Sequence, residues 1–185
     1  MTNQEIIDRT KEYFCFGIEE QDLIVRIDAA RLLSPGSTVV DFGIGQARTS
    51  ITMAMANPDI EIYAFDSGRI DMTNDQLMDR TLKRCQDQGV NNVHFSIGDA
   101  KLLFQDWKYP LGILSIDAEG SHEATKIEVE GWFPHVISGG TIFMQSYNLV
   151  YKYPDIKLIV DEYLVSHEEY KLDVLAHNTQ VIKKL

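Results

Sequence analysis

No apolar run in this sequence approaches the ~18 residues that a helical membrane span needs. Cysteine is scarce. Cys15 and Cys85 are the only two, without the spacing of a metal or redox site, and a reduced protein is expected. The segment Met1 to Glu5 carries neither the basic nor the apolar stretch of a secretory signal, so a cytoplasmic protein is expected. Basic residues are also short: 17 Lys and Arg stand against 28 Asp and Glu, a net charge of −11. The clusters Lys83-Arg84 and Lys183-Lys184 lie among acids, whereas binding to phosphate backbones needs massed cations. Nucleic acid and membrane are excluded as expected partners, and a neutral or cationic small molecule fits the charge better. There is no internal repeat, low-complexity tract or Pro/Gly/Ser linker. One domain over 1–185 is expected, with N-terminal helices at 1–36 and the core at 37–185.

What is present supports one well-buried core, with 44% hydrophobic residues over 185 positions. Thr2 followed by Glu5 at the third position reads as a capping box opening a short helix. A second helix is predicted from Glu19 to Leu33, with Leu23, Ile27 and Ala30 on one face. Strands are predicted at Thr38 to Val40, Ile60 to Phe65, Asn92 to Ile97, Leu111 to Ile116 and Thr141 to Met144. Helices fall between them. One runs roughly from Asp71 to Gln88 and is expected to bury Met78, Leu82 and Cys85; others span Ser121 to Phe133 and Pro154 to Val165. Leu172 to Ala176 and Gln180 to Ile182, split by His177-Asn178-Thr179, read as a β-hairpin. Strand-helix alternation with a terminal hairpin implies a mostly parallel α/β sheet with an antiparallel edge.

The chemistry gathers where these strands end. The first runs into Asp41-Phe42-Gly43-Ile44-Gly45, and the second ends at Asp66. Strand, glycine turn, helix, strand and acid is how a parallel sheet builds a nucleotide pocket. Gly43 and Gly45 let the backbone turn sharply beside a ligand. Asp66 suits the two hydroxyls of a ribose. Asp41 adds a negative group beside the turn, suited to a cationic ligand. Right-handed crossovers would set Asp41, Asp66, Asp99 and Asp117 along one rim.

This order, Asp41-Phe42-Gly43-x-Gly45, Asp66, Gly98-Asp99-Ala100 and Asp117, resembles a class I S-adenosylmethionine-dependent methyltransferase from about Thr38 to Leu185. The resemblance implies a Rossmann-like, doubly wound, seven-stranded sheet, mostly parallel, whose last strands form the hairpin. It implies S-adenosyl-L-methionine as cofactor. Asp41 with the backbone near Gly43 would hold its ammonium group, Asp66 would accept from its ribose hydroxyls, and Asp99 with the Ala100 amide would meet its adenine edge; Gly45, Ser67 and Asp117 are further cofactor-binding candidates. The segment Ile116 to Ala124 through Trp132, then Gly139-Gly140, is similar to small-molecule O-methyltransferases, some acting on sugars. In that subfamily the first Asp and acids after the fifth strand hold a divalent metal. Here Asp117 matches, but Gln145 and Ser146 replace the later acids, so a divalent metal is not expected.

If the acceptor is a hydroxyl, a base is needed, and Asp117 and His122 are the candidates. An exposed residue in a helix's first turn is the alternative for His122. Tyr147, Tyr151 and Tyr153 could form a lid, pack against the last helix or lie in a contact between copies; a homodimer is left open. Two rivals differ in class. One is a cofactor-binding protein without transferase activity. The other is a dinucleotide oxidoreductase, against which Arg48 stands where the fingerprint wants a small residue.

Overall fold

The computed structural model describes residues 1–13, 17–43, 45–68, 73–97, 100–117 and 120–185, with backbone alone at 100–102. Helix α1 (Asn3–Thr10) starts with the capping box read from sequence: the Thr2 hydroxyl accepts from the Glu5 amide while Glu5 accepts from the Thr2 amide. Helix α2 (Glu20–Arg31) leads to β1 (Thr38–Phe42), α3 (Arg48–Ala56), β2 (Glu61–Asp66), α4 (Asn74–Gln88) and β3 (Val93–Ile97). A 3-10 turn (Ala100–Gln105) precedes β4 (Leu111–Ile116), α5 (His122–Trp132), β5 (Val136–Met144) and α6 (Pro154–Ser166). The hairpin of β6 (Tyr170–Ala176) and β7 (Thr179–Lys184) follows. No helix among the described residues is long and apolar enough to cross a membrane.

The seven strands form one sheet in the order β3-β2-β1-β4-β5-β7-β6. β1 to β5 are parallel, and β7 runs antiparallel between β5 and β6. This is the doubly wound, Rossmann-like architecture expected. The chain steps outward through β1, β2 and β3, then returns to the other side of β1 with β4. The carboxyl ends of β1 and β4 therefore flank the switch point at which such sheets bind ligands.

Side-chain alternation divides the core and positions the site. Val40, Phe42, Leu114, Ile116, Ile142 and Met144 join Trp132 and Phe133 on the α5–α6 side. Val39, Ile113 and Phe143, one residue out of phase, join Ala30 and Met53 on the α2–α3 side. The same parity carries Asp41, Ser115 and Gln145 to the α2–α3 side, and β1 and β4 place Asp41 directly opposite Ser115.

Two predicted details differ. α4 buries Leu77, Thr81 and Cys85, while Leu82 is 45% exposed and Met78 only partly covered. The buried face is an i, i+4, i+8 stripe that ends at Cys85 as expected; Met78 and Leu82 each lie one residue past it, about a quarter of the circumference away. β5 starts at Val136 rather than Thr141 and runs through Gly139-Gly140, which the sequence presents as a turn.

Candidate ligand site at the carboxyl ends of β1, β2 and β4

The glycine turn is held by the strand ends around it. Gly43, at φ +81°, donates its amide to the Phe65 carbonyl at 2.9 Å. A Cβ there would stand 2.3 Å from the Asp117 carbonyl oxygen, so only glycine lets β1 and β4 approach so closely. The Asp117 amide in turn donates to the Phe42 carbonyl at 3.2 Å. The Gly45 amide donates to Asp66 Oδ2 and the Gly68 amide to Asp66 Oδ1, each at 2.9 Å. Asp66 thus clasps both loops while staying partly exposed, with lone pairs left for a further donor; Ser67 beside it is exposed.

From outside, α4 completes the clasp. Arg80 donates to the Gly45 carbonyl at 3.1 Å, and Arg84 to the Gln46 carbonyl at 2.7 Å. Sequence reasoning missed both arginines. They lie at i and i+4 on a helix read only for its apolar face, and that spacing was the available signal.

Asp41 differs from expectation. It is 1% exposed, and its Oδ2 accepts from Thr49 at 2.8 Å and Ser50 at 2.6 Å, on the first turn of α3. Burial raises its carboxyl above the ordinary range, opposed by the hydroxyls of Ser50, Ser115 and Thr49 and by the Arg26 charge. The physical reason is strand parity: Asp41 points at α3, and the backbone past it, not its side chain, borders the switch point.

Asp117 follows β4 directly and is partly buried. Burial pushes its carboxyl up to about 7; Arg26 pulls it down, while Asp41, Asp22 and Asp66 push it further up. His122 is elsewhere. As the first residue of α5 it is mostly exposed, 3.5 Å from Asp155 of α6, at one end of a cavity of about 250 Å³ between those helices. Among the described residues no hydrogen bond or ion pair joins it to Asp117. Asp99 lies outside the described residues; Ala100 opens the 3-10 turn.

The tyrosines divide. Tyr147 is buried, its hydroxyl between Asp161 (2.5 Å) and Lys157 (2.9 Å). Tyr151 is 83% exposed. The Tyr153 ring lies where a side chain at Gly120 would be, 2.8 Å from that Cβ position.

Behind the rim is a polar lattice that the sequence did not reveal. Arg26 of α2 is fully buried and donates to the Asp22 carbonyl (2.7 Å), Thr179 Oγ1 (3.2 Å), Gln145 Oε1 (3.2 Å) and Ser115 Oγ (3.4 Å). Its guanidinium lies over the Phe143 ring at 5.1 Å. Asp22, equally buried, accepts from the amides of Glu19 (2.9 Å) and Thr179 (3.2 Å), with His177 Nδ1 at 3.3 Å. Gln145 is used at both ends: Oε1 also accepts from Thr179, and Nε2 donates to the Gly17 carbonyl at 2.8 Å. This arrangement does not fit a divalent cation, which needs free oxygen donors. Among the described residues no three His, Cys, Asp or Glu gather as metal ligands.

No protein-family model and no curated protein matches the chain by sequence. Solved structures share its fold. A Staphylococcus aureus protein assigned as a caffeoyl-CoA O-methyltransferase superposes with a TM-score of 0.71 at 12% identity, over 99% of both chains. An rRNA methylase from Streptococcus thermophilus gives 0.64 at 19%, covering 88% of this chain and 95% of its own. A precorrin-6y C5,15-methyltransferase from Geobacter metallireducens gives 0.67 at 18%, covering 91% and 89%.

Proposed function

We propose that the protein is an S-adenosylmethionine-dependent methyltransferase acting on a small-molecule acceptor, by O-methylation. The observation that carries this reading is the switch point itself: a turn at Gly43 closed to a Cβ and bordered by the carboxylates Asp66 and Asp117, while Arg80 and Arg84 of α4 are spent on the carbonyls of the loop. A pyrophosphate is poorly served by that charge, and a nucleoside bearing ammonium and sulfonium groups is well served. Methyltransferases among the fold neighbours support methyl transfer in general, their acceptors being of several kinds. A charge of −11 favours a small acceptor over RNA.

In this reading Gly43 and Gly45 let the backbone meet the methionine part, with the Asp41 carboxyl set behind them. Asp66 and Ser67 take the ribose hydroxyls, and Asp99 with Ala100 the adenine edge. When bound, the cofactor supplies a methyl group on a positively charged sulfur, already activated for transfer. The chain must then orient an acceptor, exclude water and accept a proton. Asp117, with its carboxyl near neutrality, suits the proton-accepting role at the end of β4. His122 faces α6 and serves less directly. Tyr153 over Gly120 walls the acceptor side.

Isothermal titration with S-adenosylmethionine and S-adenosylhomocysteine tests the cofactor, and mass spectrometry across a panel of small hydroxylated acceptors tests the reaction. Binding with a methylated product is expected. Absence of heat and of thermal shift with either nucleoside sinks the reading, and binding without product across the panel favours the cofactor-binding protein without transferase activity.

A further inference from the structure

We propose that Arg26 is the resident cation of this site, standing where a metal-dependent relative would hold a divalent ion, so that the site works without metal. The inference deepens the methyltransferase reading above and rests on it for the reaction alone.

Three observations meet here. Strand parity puts Asp41, Ser115 and Gln145 on the α2–α3 side, and Arg26 reaches that row from α2, with hydrogen bonds to Ser115 and Gln145. Its charge acts on both Asp41 and Asp117. The side chain at the β5 end, Gln145, has its oxygen turned to Arg26 and Thr179 and its nitrogen to Gly17, which leaves nothing to coordinate an ion. A cation brought to Asp117 from this side would also meet a buried guanidinium that cannot lose its proton. Arginine suits this place better than lysine, because its planar fork spans acceptors on β4, on β7 and just past the end of β5 at once. It further ties the N-terminal layer to the rim, since Asp22 and Gly17 hang on the same lattice. Arg26 is therefore a positioning residue as well as a charge.

The test uses Mn²⁺ as probe on the full chain stripped with chelator, read by the electron paramagnetic resonance of free Mn²⁺ and by melting temperature. Wild type is expected to show no site tighter than about 1 mM and no metal-dependent shift. Its affinity for S-adenosylhomocysteine should be the same in chelator and in Mg²⁺. Arg26→Met, which empties the place of its charge beside Asp22, Asp41 and Asp117, is expected to melt lower and to gain a Mn²⁺-dependent rise that Asp117→Asn removes. Arg26→Lys should show no such rise. A merely structural arginine would not create metal dependence when removed. A wild-type Mn²⁺ site abolished by Asp117→Asn overturns the proposal, as does a folded Arg26→Met that ignores Mn²⁺. If Arg26→Met fails to fold, Arg26→Gln, which removes the charge and keeps a hydrogen-bonding side chain, takes its place, and a folded Arg26→Gln that ignores Mn²⁺ overturns the proposal. Failure to bind S-adenosylmethionine would defeat the functional reading and leave these metal arms untouched.

Discussion

At Gly43 one missing Cβ sets the distance between two strands, and Gly89 provides the control. Both have positive φ, +81° and +69°, but a Cβ at Gly43 meets the Asp117 carbonyl whereas at Gly89 it meets open space. Gly89→Ala should cost about 1 kcal/mol for the left-handed conformation alone. Gly43→Ala should cost about 3 kcal/mol or more, because backbone must move, and should abolish nucleoside binding. Urea denaturation of the two variants measures the gap; equal losses would refute the close-approach argument. Asp117 gives a second prediction with the opposite sign. Its carboxyl is held at about 7 in the folded chain against 3.8 ordinarily. Between those values the folded state binds more protons than the unfolded one, so its contribution falls as pH rises and remains lost above 7. Asp117→Asn should therefore melt a few degrees higher than wild type at about pH 8 and close to it at about pH 4, while losing cofactor affinity. Melting curves at the two pH values check it; a lower melting point for Asp117→Asn at the higher pH would contradict the burial argument.

Helix α4 shows how an element reaches the site from outside. Its cap is reciprocal: the Thr73 hydroxyl accepts from the Gln76 amide and Gln76 from the Thr73 amide. Thr73→Ala should cost about 1 kcal/mol and lower the melting temperature by about 2–4 °C. Because the same helix carries Arg80 and Arg84 to the glycine loop, cofactor affinity should weaken as well, and Thr73→Ser should restore both. Calorimetry on the two variants decides whether cap and loop are coupled. Elements are also the scale at which the sequence was most legible. β4 is legible to its bounds because Leu111 to Ile116 is a short continuous apolar run, as a strand covered on both faces must be. The start of β5 is hidden because Ser138-Gly139-Gly140 carries turn chemistry although the backbone continues through it. The order of acids and glycines along the strand ends was legible too. What they touch was not: Asp41 looks like a ligand group until strand parity turns it toward Thr49 and Ser50. Arg26 has nothing in its own helix to mark it as buried, because Ser115, Thr179 and Gln145 supply its side-chain acceptors. Those partners lie 89 to 153 residues away, and no local pattern encodes them.

Over the whole molecule, 28 acids against 17 basic residues make a negative field, and at the switch point Asp117 feels the charges of Asp41, Asp22 and Asp66 against that of the buried Arg26. Surface charge and site charge act at different ranges. The surface is screened beyond about 8 Å at physiological salt, whereas partly buried carboxylates are screened much less. S-adenosylmethionine and S-adenosylhomocysteine separate the two, since they share a nucleoside and an amino acid and differ by one methyl and its positive charge on sulfur. Their affinity ratio removes shape and isolates the field at the sulfur. If the rim carboxylates supply that field, the ratio should favour S-adenosylmethionine above the Asp117 midpoint. It should decline as pH falls through about 7, where Asp117 takes up its proton, and respond little to salt. Asp117→Asn should flatten the decline and hold the ratio at its low-pH value. Paired titrations at pH values on either side of 7 measure this directly. A ratio that follows salt but not pH would place the discrimination on the general surface charge and remove Asp117 from the site.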